Sequence, residues 1–370
     1  LNGWGLRKTR GGSVGVAPQY ASTLGKTANC QALVSLTPAR GEVPAPFALR
    51  LFLPEEWTRD AARLERAGVP GDRRTPRTKP EIALAEIGRA VAAGMRFGPV
   101  LADAGYGISA TFRAGLSERG LHWAVGIPRI LKVYPADVAL LPPPPGRRRK
   151  LSEPDQISRP AEAVLAGVPW RGVTWRRGTK GRLSAHFAAT RIRVADDPAQ
   201  GIGAGDRRRG SAQGIGGRPA QHLPGEAAWA VGERRASGET KYYLCNLPLQ
   251  SSSAIFLPLQ SSFLCNLPAD TGLNTLAATI KARWACEQAR QQLKEELGPD
   301  HFEGRSWTGL HRHALMTMLA YAFLQHRRLA AARRGEKARR STAATEPARH
   351  PRRRHRPAPA RTINTHSRGI

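Results

Sequence analysis

The chain has 370 residues, enough for one large domain with an insertion or for two domains, and its 41% hydrophobic content suits a buried core rather than a disordered coil. Its 58 Lys and Arg stand against 28 Asp and Glu, a formal net charge of +30 at pH 7, and such an excess points to a polyanionic partner, nucleic acid first. The longest apolar run, Ala314 to Leu324, has about half of the roughly 20 residues that a bilayer span needs, so it reads as a core helix and no membrane partner is expected.

Residues 332–370 carry a net charge of +10 and the rest of the chain +20, so the body is basic as well as the tail. No secretory leader pattern opens the chain. Cys30, Cys245, Cys265 and Cys286 form no CxxC pair or zinc spacing, which suits free thiols in a reducing cytoplasm. The first residue is Leu1 rather than methionine, and the frame is read as truncated at its N-terminus.

Strand-like runs at 13–16, 30–36 and 47–53 alternate with turn residues and predict an antiparallel meander. A helix is expected from about Lys79, with Pro80 near its start and Gly94 past its end, then a strand at 97–102. A helix capped by Ser109 and a strand at 122–127 follow. Three strands followed by alternating helix and strand imply an α/β core with mixed pairing. The proline and arginine run 141–150 marks a boundary, after which strand signals dominate to about 268. Within that stretch, 201–218 is rich in glycine and arginine, and LeuCysAsnLeuPro occurs at 244–248 and again at 264–268, a local duplication. Helical patterns then cover 272–297 and 307–331, and no fold is assigned beyond Ala332.

Asp103 ends the apolar run ValLeuAla and is followed by AlaGlyTyrGly. A carboxylate there sits at the carboxyl edge of a sheet, where α/β proteins place their sites, although Asp also commonly opens a strand-to-helix turn. Gly105 and Gly107 would let a ligand approach closely. On the 272–297 helix, taking Arg283 as zero, Glu287 falls near 40°, Lys294 near 20° and Arg290 near −20° at about 100° per residue. One acid is thus surrounded by three bases along about 16 Å of helix. A solvated face with an (i, i+4) ion pair worth about 0.3 to 0.5 kcal/mol is the plainer reading of that spacing.

Together, ValLeuAlaAspAlaGlyTyrGly with the helix and strand after it, and ArgTrpAlaCysGluGlnAlaArgGlnGlnLeuLys after a β-rich stretch, resemble the DDE-type transposases of bacterial insertion sequences. The branch resembled carries a Tyr, Arg, Glu, Lys signature. Arg283, Glu287 and Lys294 match its spacing, while Ile280 holds the Tyr position. The resemblance spans roughly Ser13 to Arg328 and implies an RNase H-like α/β core: 1–131 as its first part, 132–271 as a β-rich insertion, 272–331 as completing helices and 332–370 as a basic disordered tail. It further implies metal-dependent cleavage and transfer of double-stranded DNA at terminal inverted repeats into target DNA, on two Mg2+ ions roughly 3.5 to 4 Å apart, with Mn2+ as a substitute. Asp103 and Glu287 would be the catalytic acids and metal ligands, and Arg283, Lys294 and Arg290 would bind DNA phosphates. A nucleoid-associated cytoplasmic protein is implied, with room for a homodimer. The family's first acid falls near Asn2 or Gly3, and no aspartate precedes Asp60, so activity is expected to be impaired. The alternative is a non-catalytic basic DNA-binding protein in which Asp103 and Glu287 are structural. GlyIleGlyAlaGly at 201–205 lacks a nucleotide-loop ending, the aromatic and basic residues around Trp170 and Trp175 read as packing of the β-rich part, and His311 and His313 read as surface or DNA-contact residues.

Overall fold

The computed structural model describes residues 2–7, 12–21, 25–41, 43–142, 153–178, 181–196, 222–247, 272–298 and 301–345. Near the N-terminus lie β1 (Asn2–Arg7), β2 (Ala17–Ala21), β3 (Lys26–Leu36), the short pair β4 (Ala39–Arg40) and β5 (Val43–Pro44), and β6 (Ala48–Phe52). Strand β3 is the spine, and all its partners are antiparallel: β1 along Cys30–Ser35, β2 along Lys26–Cys30 and β6 along Ala32–Leu36. The run 13–16 is a turn rather than a strand, because Gly15 takes φ +74°, a left-handed conformation that breaks extension.

Helices α1 (Glu55–Thr58) and α2 (Ala61–Arg66) follow, the second capped by the Asp60 carboxylate accepting from Arg63 N at 2.8 Å. Helix α3 (Lys79–Ala92) forms where expected. Thr78 and Glu81 make a reciprocal capping box, Pro80 sits in the first turn and Gly94 leaves the helix at φ +75°. Its buried positions Ala83, Ile87 and Ala90 recur at helical spacing.

Strand β7 (Val100–Ala102) leads into the single turn α4 (Ala104–Gly107), then α5 (Ala110–Glu118), capped by Ser109, and β8 (Trp123–Ile127). The β7–β8 pair is parallel. Next come β9 (Lys132–Pro135), β10 (Leu140–Leu141), β11 (Glu153–Pro154), β12 (Arg159–Pro160), α6 (Ala161–Ala166), β13 (Arg171–Gly178), β14 (Gly181–Asp196), β15 (Leu223–Arg234) and β16 (Thr240–Cys245). Strand β16 pairs antiparallel with β8, so these strands extend the sheet of β7 and β8 in the order β12-β9-β14-β15-β16-β8-β7, with β13 also on β14. A mixed sheet flanked by helices is the RNase H-like α/β class expected.

The pattern at 272–297 gives two helices, α7 (Leu273–Lys281) and α8 (Trp284–Leu297), rather than one. Between them the bonding tightens to three-residue steps, Ala285 N to Ala282 O and Cys286 N to Arg283 O. The halves serve different cores: α7 buries Leu276, Ala277 and Ile280 against Phe187, Trp229 and Val231 of the large sheet. Helix α8 buries Ala289 and Leu293 with Leu33 and Leu51 of the small sheet and Trp57 of α1. A third cluster joins the small sheet's Val34 and Leu36 to Ile87, Phe112, Trp123 and Ile192.

Helix α9 (Trp307–Thr345) runs beyond Ala332, where the sequence reading ends it. Ala, Arg, Lys and Glu dominate there and the first proline after Ala332 is Pro347, so good helix formers continue the turn. Residues 1–325 form one compact unit and 326–370 a second. The duplicated segment beyond Leu247, the 201–218 stretch, the 143–150 run and residues 346–370 lie outside the described residues.

Candidate active site

Asp103 is the residue after β7 and the N-cap of α4, half-buried, with Oδ1 accepting from Gly105 N at 3.0 Å. Its backbone carbonyl accepts from Tyr106 N at 3.1 Å and Gly107 N at 3.0 Å, which closes the turn. Of the two glycines of this motif, Gly107 packs against β8. A Cβ on Gly107 would lie 1.9 Å from Gly126 O, and a Cβ on Gly126 would lie 3.0 Å from Ala104 N. Two glycines facing each other therefore press the carboxylate's turn directly onto β8.

Two neighbours feel the Asp103 charge. Lys79, in the first turn of α3, has its ammonium 4.9 Å from the Phe52 ring centre; burial lowers its pKa, while Cys30 and Asp103 oppose that shift. Tyr106 is buried, and burial with the Asp103 charge keeps its phenol protonated. Sequence reasoning missed Lys79, because a lysine at a helix start looks like any solvated first-turn residue.

Behind α4, the fully buried Arg113 donates Nη1 to Gly107 O at 2.7 Å, Nη2 to Asp196 Oδ1 at 2.7 Å and Nε to Glu226 Oε1 at 3.0 Å. Burial raises the pKa of Glu226, and the Arg113 charge and hydrogen bond act against that rise. The guanidinium ties the end of the Asp103 turn to β14 and β15. Nothing local in ThrPheArgAlaGly separates this arginine from a surface one.

Glu287 lies in the first turn of α8 with its side chain 44% exposed, and Oε1 meets Arg283 Nη2 at 2.5 Å, so the (i, i+4) pair expected from spacing forms. Arg290 and Lys294 are half-buried on the same helix, one and two turns further on. The α8 start is anchored by Cys286 Sγ, which donates to Thr37 O at 3.3 Å just past β3, and by Arg176 of β13, whose guanidinium is 4.5 Å from the Trp284 ring. Preceding it, Lys281 donates to the buried Glu233 at 2.7 Å, alongside Tyr243 at 2.7 Å and Arg235 at 2.9 Å. Burial alone would raise the Glu233 pKa, but these donors hold it below the ordinary carboxylate value.

The position of the family's first acid, Asn2 or Gly3, lies at the start of β1, paired with Ser35 and Val34. Neither residue carries a carboxylate. Among the described residues no group of three or more His, Cys, Asp or Glu gathers at metal-binding range. Hard divalent cations need anionic oxygen. Asp103 and Glu287 each already accept a hydrogen bond, and among the described residues these two carboxylates alone do not fit a two-metal centre.

The histidines have structural roles. His313 Nε2 is 3.1 Å from Gly298 O and its ring stacks on Phe302, while the His311 Nδ1–H donates to Trp307 O at 2.9 Å and its ring lies 4.1 Å from that indole. Trp175 packs edge-on to Phe187 and under Lys281, and Trp170 lies under Arg234, so the aromatic and basic residues expected to pack do so. Among the described residues no helix is long and apolar enough to cross a membrane.

No curated protein matches the chain. Residues 5–182 match the family model described as DDE superfamily endonuclease, a stretch that contains β7, the Asp103 turn and β8. DDE superfamily endonucleases act on DNA and generally use divalent metal; Asp103 lies within the matched stretch and Glu287 lies beyond it. The match covers just under half of the chain, which over residues 5–182 is similar to the DDE superfamily endonucleases, and that similarity supports a nuclease or transposase type of function.

Proposed function

We propose that the chain binds the DNA ends of an insertion sequence as a DDE-type transposase whose strand cleavage is impaired. The observation that carries this reading is the pairing of Glu287 with Arg283 on a helix that also presents Arg290 and Lys294, in a chain whose first-acid position holds Asn2 or Gly3. In it, Arg283, Arg290 and Lys294 contact backbone phosphates, the arginines as planar forks and the lysine as a point charge. Asp103 and Glu287 supply the anionic oxygens that remain for Mg2+, with Mn2+ as a substitute.

A supercoiled-plasmid nicking assay with MgCl2 or MnCl2 tests the reading. The expected result is DNA binding with weak residual nicking that the Asp103→Asn, Glu287→Gln double substitution removes. Robust nicking that this double variant abolishes would show an intact catalytic centre and overturn the impairment. Absence of DNA binding at low salt would overturn the whole assignment. The absent first acid also favours a second reading, a DNA-binding protein without catalysis. The two differ in one respect: residual nicking that the double variant removes belongs only to the first.

A further inference from the structure

Away from Asp103 and Glu287, a cavity of about 50 Å³ opens between β6, the segment linking α2 to α3, the flank of α3 and the start of α9. That is several times the roughly 10–15 Å³ one water requires. Arg50, Arg73 and Arg77 line it, with Asp72, Glu86 and Trp307. Arg50 Nε bonds the Glu86 carboxylate at 2.8 Å, and Arg89 holds its other oxygen. Glu86 is buried, 3% exposed, so its charge is spent between two guanidinium groups. Arg73 faces Asp72 at 3.0 Å, but that carboxylate is 70% exposed, and such a surface pair is weak and exchangeable. Arg77 is exposed at the rim. Three guanidinium groups against two carboxylates leave the lining with an excess of one positive charge, and Arg89 adds a fourth guanidinium on Glu86 from outside the lining. The crowding registers on its neighbours: Arg89 and His311 both have lowered pKa values, each from burial first and then from Arg50 and Arg73.

A cleft that concentrates arginine forks beyond what its own acids neutralise is matched to an anion with several oxygens. We propose that this cleft binds a backbone phosphate of duplex DNA, as a contact point separate from the charges of α8. The inference rests on the reading of the chain as a DNA-binding DDE protein. It adds that DNA runs past α3 as well as past α8, held here without regard to sequence.

The test is fluorescence anisotropy of a labelled duplex across a KCl series, with wild type, the Arg73→Gln, Arg77→Gln double variant, the single charge reversal Arg77→Glu and, as reference, Arg283→Gln. These positions are half-buried or exposed, and matched melting curves verify folding. Losing one phosphate contact should lower the slope of log K against log salt by about one unit. That loss in both cleft variants, on duplexes of unrelated sequence, is the expected result. If wild type and Arg283→Gln differ while the cleft variants keep the full wild-type slope, the cleft inference falls and the proposed function stands. If wild type binds no DNA, both fall. A second arm records thermal stabilisation by inorganic phosphate: stabilisation of wild type but not of the double variant, with unchanged DNA slopes, would assign the cleft to a free anion and overturn the DNA assignment.

Discussion

At the scale of single residues, Gly107 and Gly126 decide where Asp103 sits. A methyl group on Gly107 would come within 1.9 Å of Gly126 O, a backbone atom that cannot swing aside. Gly107→Ala is therefore expected to destabilise the protein by about 1–3 kcal/mol, as overpacking of a tight contact does. Chemical denaturation of wild type and variant gives the number directly, and a loss below about 0.5 kcal/mol would mean that the turn can lift from β8. The sequence marked Asp103 correctly as the residue closing a buried strand, because apolar run, acid and glycines are local signals. It could not show what the glycines face, since Gly126 is nineteen positions away and lies in another strand. Lys79 and Arg113 were hidden for the same reason: their partners come from segments distant in the chain.

At the scale of elements, the break between α7 and α8 follows from two anchorages. Lys281 is bound to Glu233 in the large sheet, while Cys286 is bound to Thr37 beyond the small one. Glu233 is fully buried and its folded pKa lies below the ordinary 4.5. A carboxylate with a depressed folded pKa contributes stability that is present above its unfolded value and is lost as pH falls through the folded one. The melting temperature should thus decline as pH falls below about 4.5, and part of that decline should vanish in Glu233→Gln. Equal slopes in the two proteins over that interval would show that Glu233 does not couple to pH. Lys281→Met should cost about 1.5–3 kcal/mol, the range for a hydrogen bond to a charged group. Helical periodicity in the sequence gave α3 and α5 nearly to the residue and the end of α8 at Leu297, yet it ran α7 into α8. Periodicity reports which face is apolar, and both helices have an apolar face. It does not report that the two faces meet different sheets.

At the scale of the whole molecule, the alternation of strand and helix was enough to predict a mixed α/β core. The longer strands β13 to β16 fall where strand signals dominate, but β9 to β12 were not read, nor was the joining of these strands to β8 through β16, since pairing between Tyr242–Cys245 and Ala124–Ile127 spans more than a hundred positions. Of the site, Asp103, Glu287 and the basic stripe could be read from spacing, and the basic cleft beside α3 could not, because its arginines come from three separate segments. Arg113 is the most consequential residue of this class. Its guanidinium is 1% exposed and satisfies two carboxylates and a carbonyl at once. Arg113→Ala should cost about 3 kcal/mol by leaving two half-buried acids without their buried partner, with Arg113→Lys recovering part of it; a thermal shift within a degree of wild type would contradict the bond pattern. Gly107, whose carbonyl Arg113 grips, closes the same turn that Asp103 opens. The strand ends that carry Asp196 and Glu226 are thereby geared to the carboxylate. One buried guanidinium thus couples those strand ends to the turn that holds Asp103.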